Sequence, residues 1–537
     1  MEQVTITDPQ PTAKRGPRPP AYVWVPAALI AVVMLLPPVY LVVRTLDAGL
    51  GAWDLIFNRS TMVILWRSTI LVVLVTSVSV ALGVSLSWLT VRTDMPFRRA
   101  FAVLTALPLV IPSYVFALLV VIALGPKGTL QGWLEPLGVD RIPDIFGLPG
   151  SVFTLSLLGF PYVMLPVRAA LHRLDPAMEE AARSLGKGPW ATFFTVTLPL
   201  LRPAIMAGGL LVALYTLSDF GAVSLLRYQT FTFAIFIQLD SALNASIAAA
   251  LSLVLVALAL TLLFLEAWTR GRSRYYRTTP GTPRLAASVR LGQWRWPLAA
   301  AVALLVFLSL VAPMGLLLYW VVRGVSAGEP LALLWMSLLG TLGVSFAAAG
   351  VAALAGIPVA ILSVRYPSLL SAGLERLTFI GFALPGVAVA LAFVFFATSL
   401  VRPLYQTSFL LVIAYLVLFL PAAVGATQAS LRQVSPRLEE AARGLGKTSF
   451  QAFRAITLPL LSRGILAGAA LVFMLTMKEL PATLILAPIG FDTLATSVWS
   501  AASEAFFARA AMPALLLVLA AAIPMAMVVI REGKSQR

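Results

Sequence analysis

Long apolar runs separated by short polar segments dominate this chain. Uninterrupted apolar runs of this kind predict membrane-spanning helices, because about 20 residues are needed to cross roughly 30 Å of hydrocarbon. The predicted spans lie near residues 22–43, 63–91, 101–124, 148–172, 201–222, 245–268, 297–322, 336–363, 375–398, 408–430, 463–487 and 508–530. The pattern therefore predicts an all-α polytopic membrane protein with about 12 transmembrane helices.

The spans form two six-helix halves that repeat one another. Residues 176–201 and 436–461 are identical at 15 of 26 positions. Because each copy follows four crossings of its half, the halves run in the same direction, which is a parallel repeat. Ala-Leu-Pro at 106–108 and at 383–385 is a second anchor, and a longer external loop in the first half explains its different spacing.

A polar, arginine-rich segment between the two halves predicts the domain boundaries. We expect a first transmembrane domain at 1–268, a basic cytoplasmic linker at 269–296 and a second transmembrane domain at 297–537. The polar N-terminus shows no small-residue cleavage site after the first apolar run, so the first helix is expected to be retained.

Composition and charge support a membrane protein. The chain is 60% hydrophobic and 11% charged, with mean hydropathy +0.94. With the N-terminus inside, the cytoplasmic segments carry 29 Lys and Arg and the external segments carry 10. Loops rich in Lys and Arg stay in the cytoplasm, so both termini are expected there. This topology accounts for the net charge of +17, and we expect the lipid bilayer, not a nucleic acid, as the partner of the basic residues.

The residue types exclude several kinds of chemistry. The chain has no cysteine, which excludes disulfides, thiolate catalysis and cysteine-based metal sites. The single histidine, His172, lies at a predicted cytoplasmic helix end and is expected to be interfacial. No metal site and no cofactor are expected. A membrane-embedded enzyme would need a catalytic constellation of His, Cys or paired acids, and the sequence shows none with catalytic spacing. A transporter driven by an ion gradient would predict inverted repeats and helix breaks at the midplane, whereas this repeat is parallel.

The repeated segment predicts a helix, a glycine elbow and a second short helix. Asp175 and Ser435 are expected to cap helices that begin at Pro176 and Pro436. Gly186 is a natural left-handed residue after the first of them. The second helix is expected to begin near Pro189 or Ser449 and to be broken by Pro199 or Pro459. Glu179 and Glu180 lie near the positive helix N-terminus and are expected to face a basic partner.

Gly446-Lys447-Thr448 raises the alternative of a nucleotide-binding loop. That loop needs a glycine five residues before Gly446, where this chain has Ala441. In the other copy, Gly188 replaces the hydroxyl residue that would bind magnesium. We therefore expect no ATP hydrolysis and no catalytic residue in this chain.

Both copies resemble the EAA loop of bacterial binding-protein-dependent ABC importers, whose pattern is E-A-A-x-x-x-G, nine residues, then I-x-L-P. The second copy matches at Glu440, Ala441, Ala442, Gly446, Ile456, Leu458 and Pro459. The first copy matches at Glu180, Ala181, Ala182, Gly186, Leu198 and Pro199, with Val196 in place of the isoleucine. We call residues 176–197 the first EAA loop and residues 436–457 the second.

The resemblance implies a fused permease of the type I ABC importer kind in a bacterial plasma membrane. In that family each EAA loop docks in a cleft of a separate ATPase subunit. It therefore implies two copies of an ABC ATPase and an extracytoplasmic substrate-binding protein as partners. The implied ATPase-coupling residues are Glu180, Ala181, Ala182 and Gly186 and their counterparts Glu440, Ala441, Ala442 and Gly446.

Charged residues within predicted spans are costly and point to function. Asp219 in the first half aligns with Glu479 in the second, and Lys478 is adjacent to Glu479. One interpretation is that these three residues line the translocation pathway. The other is that Lys478 neutralises an acid of the opposite half and touches no substrate.

The surrounding segments, "SDFGAVSLLRYQTFTFAIF" and "KELPATLILAPIGFDTLATSVW", resemble fused permeases of the iron(III) importer group. Iron(III) is a hard cation that favours oxygen ligands, which the acids and tyrosines of this chain can offer. The same architecture serves thiamine, polyamine or phosphonate-type substrates, and these alternatives remain open.

Overall fold

The computed structural model describes residues 19–47, 54, 56–126, 128–138, 143–240, 245–269, 288–329 and 332–535. Within these ranges the regular structure is helical, apart from an isolated parallel bridge between Thr93 and Val289. Residues 270–287, most of the predicted linker, lie outside the described residues.

The helices of the first half follow the order expected from the apolar runs. They are α1 (Ala21–Asp47), α2 (Arg59–Arg92), α3 (Arg98–Leu104), α4 (Ser113–Leu124), α5 (Thr129–Leu134), α6 (Leu148–Arg173), α7 (Pro176–Ser184), α8 (Pro189–Thr192), α9 (Leu198–Ser218), α10 (Gly221–Leu225), α11 (Phe231–Asp240) and α12 (Ala245–Thr269).

The second half follows a similar order, except that a π-helical turn, Phe307–Val311, divides its first span into two helices and a 3-10 turn, Arg402–Leu404, stands where the first half has α5. Its helices are α13 (Arg295–Val306), α14 (Ala312–Ser326), α15 (Ala332–Arg365), α16 (Leu369–Phe379), α17 (Gly386–Leu400), α18 (Ser408–Leu431), α19 (Pro436–Gly444), α20 (Ser449–Ala452), α21 (Leu458–Met477), α22 (Pro481–Leu486), α23 (Leu494–Ser503) and α24 (Phe507–Ser535).

Every predicted span coincides with helical structure. Among the described residues, 10 helices are long and apolar enough to cross a membrane, or up to 11 if one bent pair counts as a span. The predicted span at 508–530 falls in α24, whose apolar part among the described residues, Phe507–Ile523, is shorter. The predicted all-α polytopic fold is confirmed.

Two predicted spans, 101–124 and 375–398, are broken rather than continuous. In the second half the chain bends by 108° between Leu369–Ala383 and Gly386–Leu400. In the first half a 3-10 turn, Leu107–Val110, separates α3 from α4. The breaks occur where Pro112 and Pro385 act as N-caps of α4 and α17. Proline donates no hydrogen bond and drives the preceding residue to extended geometry, so each helix ends there.

The pairing of the two Ala-Leu-Pro anchors is wrong. The structural equivalents are Pro112 and Pro385, each the N-cap of the helix that follows the break. The Ala-Leu-Pro at 106–108 lies instead at the preceding 3-10 turn. Three-residue identity is too short to fix a register, whereas the ends of α2 and α15, Arg92 and Arg365, fix it correctly.

The prolines at 199 and 459 do not break the helices as expected. Each EAA loop passes into its membrane helix through one π-helical turn, at Phe193–Thr197 and at Phe453–Thr457. The N–H of Leu198 donates to the Phe193 carbonyl, five residues earlier. The widened turn relieves the crowding that a proline ring causes against the preceding turn. The short helix and the membrane helix are therefore one continuous element.

Matched glycines allow close helix packing in two compact units. One unit contains residues through Leu35, Ala349–Gly381 and Phe419–Val472, and the other contains Leu36–Ala348, Phe382–Leu418 and Phe473–Arg537. In the larger unit a Cβ on Gly208 of α9 would lie 2.7 Å from the Val163 Cα of α6. In the smaller unit a Cβ on Gly468 of α21 would lie 3.0 Å from the Ala423 Cα of α18. Small residues at such crossings are typical of membrane helices.

Candidate functional site

The first helix of each EAA loop begins as predicted, but the two caps differ. Asp175 is the N-cap of α7 and its Oδ1 accepts a hydrogen bond of 3.1 Å from the N–H of Ala177. Ser435 is the N-cap of α19, yet its side chain makes no capping hydrogen bond. A capping side chain contributes about 1 kcal/mol to helix stability, so α7 is capped more firmly than α19.

A glycine elbow ends each of these helices, as predicted. Gly186 and Gly446 have φ of 81° and 86°. In the first loop, Lys187 N–H donates to the Ala182 carbonyl at 3.2 Å and Gly186 N–H donates to the Arg183 carbonyl at 2.9 Å. This pair of bonds defines the Schellman motif, which requires left-handed geometry at the glycine. The elbow turns the chain into the second short helix.

The Gly-Lys-Thr stretch of the second loop serves this elbow. Thr448 is the N-cap of α20, and its hydroxyl accepts a hydrogen bond of 3.3 Å from the Gln451 N–H. The Gln451 side chain accepts in return from the Thr448 N–H at 3.0 Å. This reciprocal arrangement is a capping box, so the hydroxyl that suggested magnesium binding is used to start a helix.

The predicted coupling residues divide between two faces of their helices. Glu180, Ala181, Glu440 and Ala441 are exposed. Ala182 and Ala442 are only 6% and 4% exposed, so they pack inward. A basic partner could therefore reach the second glutamate of each loop but not the last alanine.

An exposed apolar surface surrounds the exposed glutamates, and it is not among the features predicted from the sequence. Leu185 and Leu445, at the elbows, are 83% and 85% exposed. Met178 and Trp190 of the first loop are also exposed, as are their counterparts in the second loop, Leu438 and Phe450. Large exposed apolar residues beside charged ones are typical of protein interaction surfaces. The signal was present in the sequence, because all three apolar positions recur at the same spacing.

The first glutamate of the first loop does not face a partner, contrary to our expectation. Glu179 is 8% exposed and lies in a buried cluster that we call the first clamp: Arg92, Glu179 and Thr197. The Arg92 Nη2 lies 3.4 Å from Glu179 Oε1. Thr197 Oγ1 donates to the same oxygen at 2.9 Å. Adjacent helical residues point about 100° apart, so Glu179 can turn inward while Glu180 stays on the outer face.

The second clamp, formed by Arg365, Glu439 and Thr457, has the same arrangement. Arg365 Nη2 lies 3.6 Å from Glu439 Oε1, and Thr457 Oγ1 donates to that oxygen at 2.6 Å. Arg365 also donates to the Val434 carbonyl at 2.9 Å. Partial burial and the Glu439 charge raise the pKa of the adjacent Tyr366, which keeps its phenol neutral.

Asp219 lies where α9 ends and caps the next helix. Its Oδ1 accepts hydrogen bonds from the N–H groups of Ala222 and Val223, at 3.0 and 3.3 Å. Its backbone carbonyl accepts from Thr232 Oγ1 at 2.6 Å. A capping aspartate competes with helix continuation, which explains why this span ends at Ser218 instead of residue 222.

Glu479 has the matching role in the second half, and Lys478 points elsewhere. Glu479 Oε1 accepts from the Ala482 N–H at 3.2 Å at the start of α22. Lys478 Nζ donates to the Leu109 carbonyl at 2.9 Å, so it binds a neutral group of the first half. The two acids are therefore equivalent helix caps, and the structure gives Lys478 a partner other than these carboxylates.

Tyrosine, serine and threonine hydroxyls surround the two acids, and these individual residues were not predicted from the sequence. Ser113 is a side-chain hydrogen-bond partner of Asp219. The Tyr114 hydroxyl is buried without a hydrogen-bond partner among the described residues and interacts electrostatically with Glu479. Tyr415 and Thr483 hydroxyls lie 2.6 Å apart. The acids thus lie in an oxygen-rich interior.

Comparison with known proteins identifies the family twice along the chain. The family described as "Binding-protein-dependent transport system inner membrane component" matches residues 79–275 and 352–532. Each match contains one EAA loop and one of the two acids, so the repeat read from the sequence is confirmed by the family itself.

Several named relatives are similar over long stretches. The Fe(3+)-transport system permease protein FbpB 2 of Haemophilus influenzae is 36% identical over 517 residues, 94% of this chain and 97% of the relative. The ferric transport system permease protein FbpB of Actinobacillus pleuropneumoniae is 26% identical over 76% of this chain and 62% of the relative. The molybdenum transport system permease protein ModB of Escherichia coli is 32% identical over 39% of this chain and 95% of the relative. A permease of half the size thus aligns with less than half of this chain.

Proposed function

The chain belongs to the family of inner membrane components of binding-protein-dependent transport systems, and on that premise we propose that it is the complete, fused permease of an ATP-driven importer for iron(III). The observation that carries this proposal is the pair of EAA loops with matched geometry on one polypeptide. Each has the same glycine elbow, the same exposed glutamate and the same three exposed apolar positions.

The two EAA loops are proposed to receive two copies of a separate ATPase. On each loop the exposed glutamate offers a charge to a basic group, and the elbow leucine offers an apolar anchor to a cleft. A few anchor residues that are fully buried in pockets of the partner commonly carry most of the energy of an interface. Closure of the ATPases on ATP would then move both loops, while this chain itself hydrolyses no ATP.

Topology is proposed from the charge distribution. The EAA loops, the linker and both termini lie in the cytoplasm of a bacterium, because the Lys and Arg excess is on that side. The opposite side would receive substrate from an extracytoplasmic binding protein. Asp219, Lys478 and Glu479 are proposed to line the pathway between these two sides.

Iron(III) is the proposed substrate because two relatives that cover most of this chain are named for Fe(3+) or ferric transport. The chemistry of the interior agrees with it. Two carboxylates with neighbouring tyrosine and serine hydroxyls give an oxygen-rich surface, and a hard cation favours oxygen over sulfur ligands. Relatives named for molybdenum and sulfate transport share the family but align with only 39% of the chain.

Uptake in a reconstituted system tests the proposed substrate. Proteoliposomes containing this chain, its ATPase and its binding protein are expected to accumulate radioactive iron(III) only when ATP is present. A hundredfold excess of unlabelled thiamine, spermidine or phosphonate should not compete. Iron uptake without ATP would refute the ATP-driven mechanism, and competition by one of the organic substrates would replace iron with that substrate.

A further inference from the structure

The first and second clamps connect the same three elements in each half. The arginine is the last residue of a long membrane helix, α2 or α15. The glutamate lies in the first turn of the EAA helix, and the threonine ends the π-helical turn before α9 or α21. In both clamps a single carboxylate oxygen, Oε1, contacts both the arginine and the threonine. One atom therefore joins an EAA helix to two membrane helices.

Such a cluster is a poor device for stability alone. Burying an ion pair removes both charges from water, and apolar residues of similar volume often stabilise a fold as well or better. The ion pair instead fixes the relative orientation of the helices, because its hydrogen bonds set the angle and the distance between them. The exposed Glu180 follows the buried Glu179 directly in the chain. A force applied to Glu180 on the outer face therefore reaches the clamp through a single peptide bond.

The end of the linker closes over the first clamp. Val289 N–H donates to the Arg92 carbonyl at 2.7 Å, and Asp94 N–H donates to the Val289 carbonyl at 3.2 Å. The Leu291 N–H then donates to Asp94 Oδ1 at 2.8 Å. The side chains of the first clamp are 6% and 10% exposed at Arg92 and Glu179. Those of the second clamp are 13% and 28% exposed at Arg365 and Glu439.

We propose that the two clamps transmit the movement of each EAA helix to its two membrane helices, and that the docked end of the linker makes the first clamp the stiffer one. Arg92, Glu179 and Thr197, with their counterparts, are positioning residues that act through the EAA helix. The inference rests on the proposed function, since it presupposes that the EAA loops receive the ATPases.

Glu179→Gln and Glu439→Gln test the transmission. Glutamine keeps the size of the side chain and an acceptor for the threonine but removes the charge that holds the arginine. The measurement is substrate transported per ATP hydrolysed, which a mere loss of folded protein would not change. We expect this ratio to fall about two- to thirty-fold, the range in which residues between coupled sites act. The fall should be larger for Glu179→Gln than for Glu439→Gln.

Charge exchange provides the rescue. The double variant R92E/E179R restores the pair in reverse and should recover part of the lost ratio, whereas R92E alone should not. Glu180→Lys, measured in the same assay, distinguishes the role of the clamps from the docking of the ATPase. If Glu180→Lys loses coupling while both glutamine variants keep the wild-type ratio, the role of the clamps is overturned and the docking of the ATPase stands. Full coupling in Glu180→Lys would overturn the docking of the ATPase on which the clamp depends.

Val289→Pro tests the role of the linker. Proline removes the N–H that bonds the Arg92 carbonyl, and Val289→Ala, which keeps that N–H, is the matched control. Changes within one contact network are not additive, whereas changes at independent sites are. Val289→Pro should therefore lower the ratio further in the Glu439→Gln background but little in the Glu179→Gln background. Equal effects in both backgrounds, or equal effects of proline and alanine, would contradict the stiffening of the first clamp.

Discussion

Reversing the charge of Glu180 or Glu440 to lysine is expected to abolish transport while the protein remains in the membrane at wild-type amounts. Both side chains are exposed, so the substitution leaves the packing of the chain untouched. At an ATPase interface, however, a charge reversal sets a lysine against a basic partner. Losing a charged contact at an interface costs about 2–5 kcal/mol, which is enough to release the ATPase or to uncouple it. Uptake in vesicles and co-purification of the ATPase measure the two consequences.

A graded series separates docking from general damage. Glu180→Gln keeps hydrogen bonding without charge and should retain partial transport. Glu135→Lys changes another exposed glutamate, between α5 and α6, and as the charge-reversal control it should behave as the wild type. Full uptake together with wild-type recovery of the ATPase in Glu180→Lys would show that the EAA loops are not the coupling surface.

The two EAA loops should differ in sensitivity. They differ in sequence at Ser184 and Gly444, and Asp175 caps the first helix where Ser435 makes no side-chain bond. The docked linker also adds contacts to the first clamp. A better supported helix transmits force with less bending, so Glu180→Lys and Glu440→Lys should not give identical losses of uptake at partial ATPase occupancy.

Neutralising both acids, Asp219→Asn with Glu479→Gln, is expected to reduce uptake strongly while basal ATP hydrolysis remains. Asparagine and glutamine still offer acceptors to the N–H groups that the carboxylates cap, so the short helices should be preserved. What disappears is the negative charge offered to a cationic substrate. The measurement is iron uptake alongside ATPase activity of the same preparation.

Lys478 decides between the pathway and a structural ion pair. If the acids serve to neutralise Lys478, removing them strands a lysine charge at a cost of up to about 3–5 kcal/mol and lowers the yield of folded protein. Adding Lys478→Met removes the stranded charge. Recovery of both yield and transport in this triple variant would favour the ion pair, whereas recovery of yield alone would favour the pathway. The bond from Lys478 to the Leu109 carbonyl leads us to expect little loss of yield in the double variant.

Exposed acids provide the control for the double variant. Asp144→Asn with Glu135→Gln removes the same two charges from exposed positions outside the oxygen-rich interior. Uptake should stay near the wild-type value in this control. An equal loss of uptake in both double variants would mean that overall charge, and not the pathway, is responsible.

The features that could be predicted from sequence are those set by local chemistry. The length of each apolar run determines where a helix can cross the membrane, so each predicted span contains a helix. Gly186 and Gly446 could be recognised because a left-handed residue after a helix favours glycine whatever surrounds it. The equivalence of Asp219 and Glu479 followed from the repeat, and both do cap short helices at matched positions.

The predictions that were wrong concern features that depend on contacts with distant parts of the chain. Glu179 and Glu180 are identical neighbours, and only the arrival of Arg92 and Thr197 makes one of them internal. Pro199 was expected to end a helix, but the helix continues through it by way of a π-helical turn, which helix propensity does not predict. The linker bridge joins Thr93 to Val289, residues that no local pattern relates. Tertiary contacts therefore decide which of two similar residues has the functional position.

The mass of the intact complex tests most directly whether one chain supplies the whole permease. One polypeptide carries both EAA loops, so native mass spectrometry of the purified transporter should find one copy of this chain with two copies of the ATPase. Disruption of a single loop by Glu440→Lys should then yield a species with one ATPase. A complex with two copies of this chain for two ATPases would contradict the fused permease.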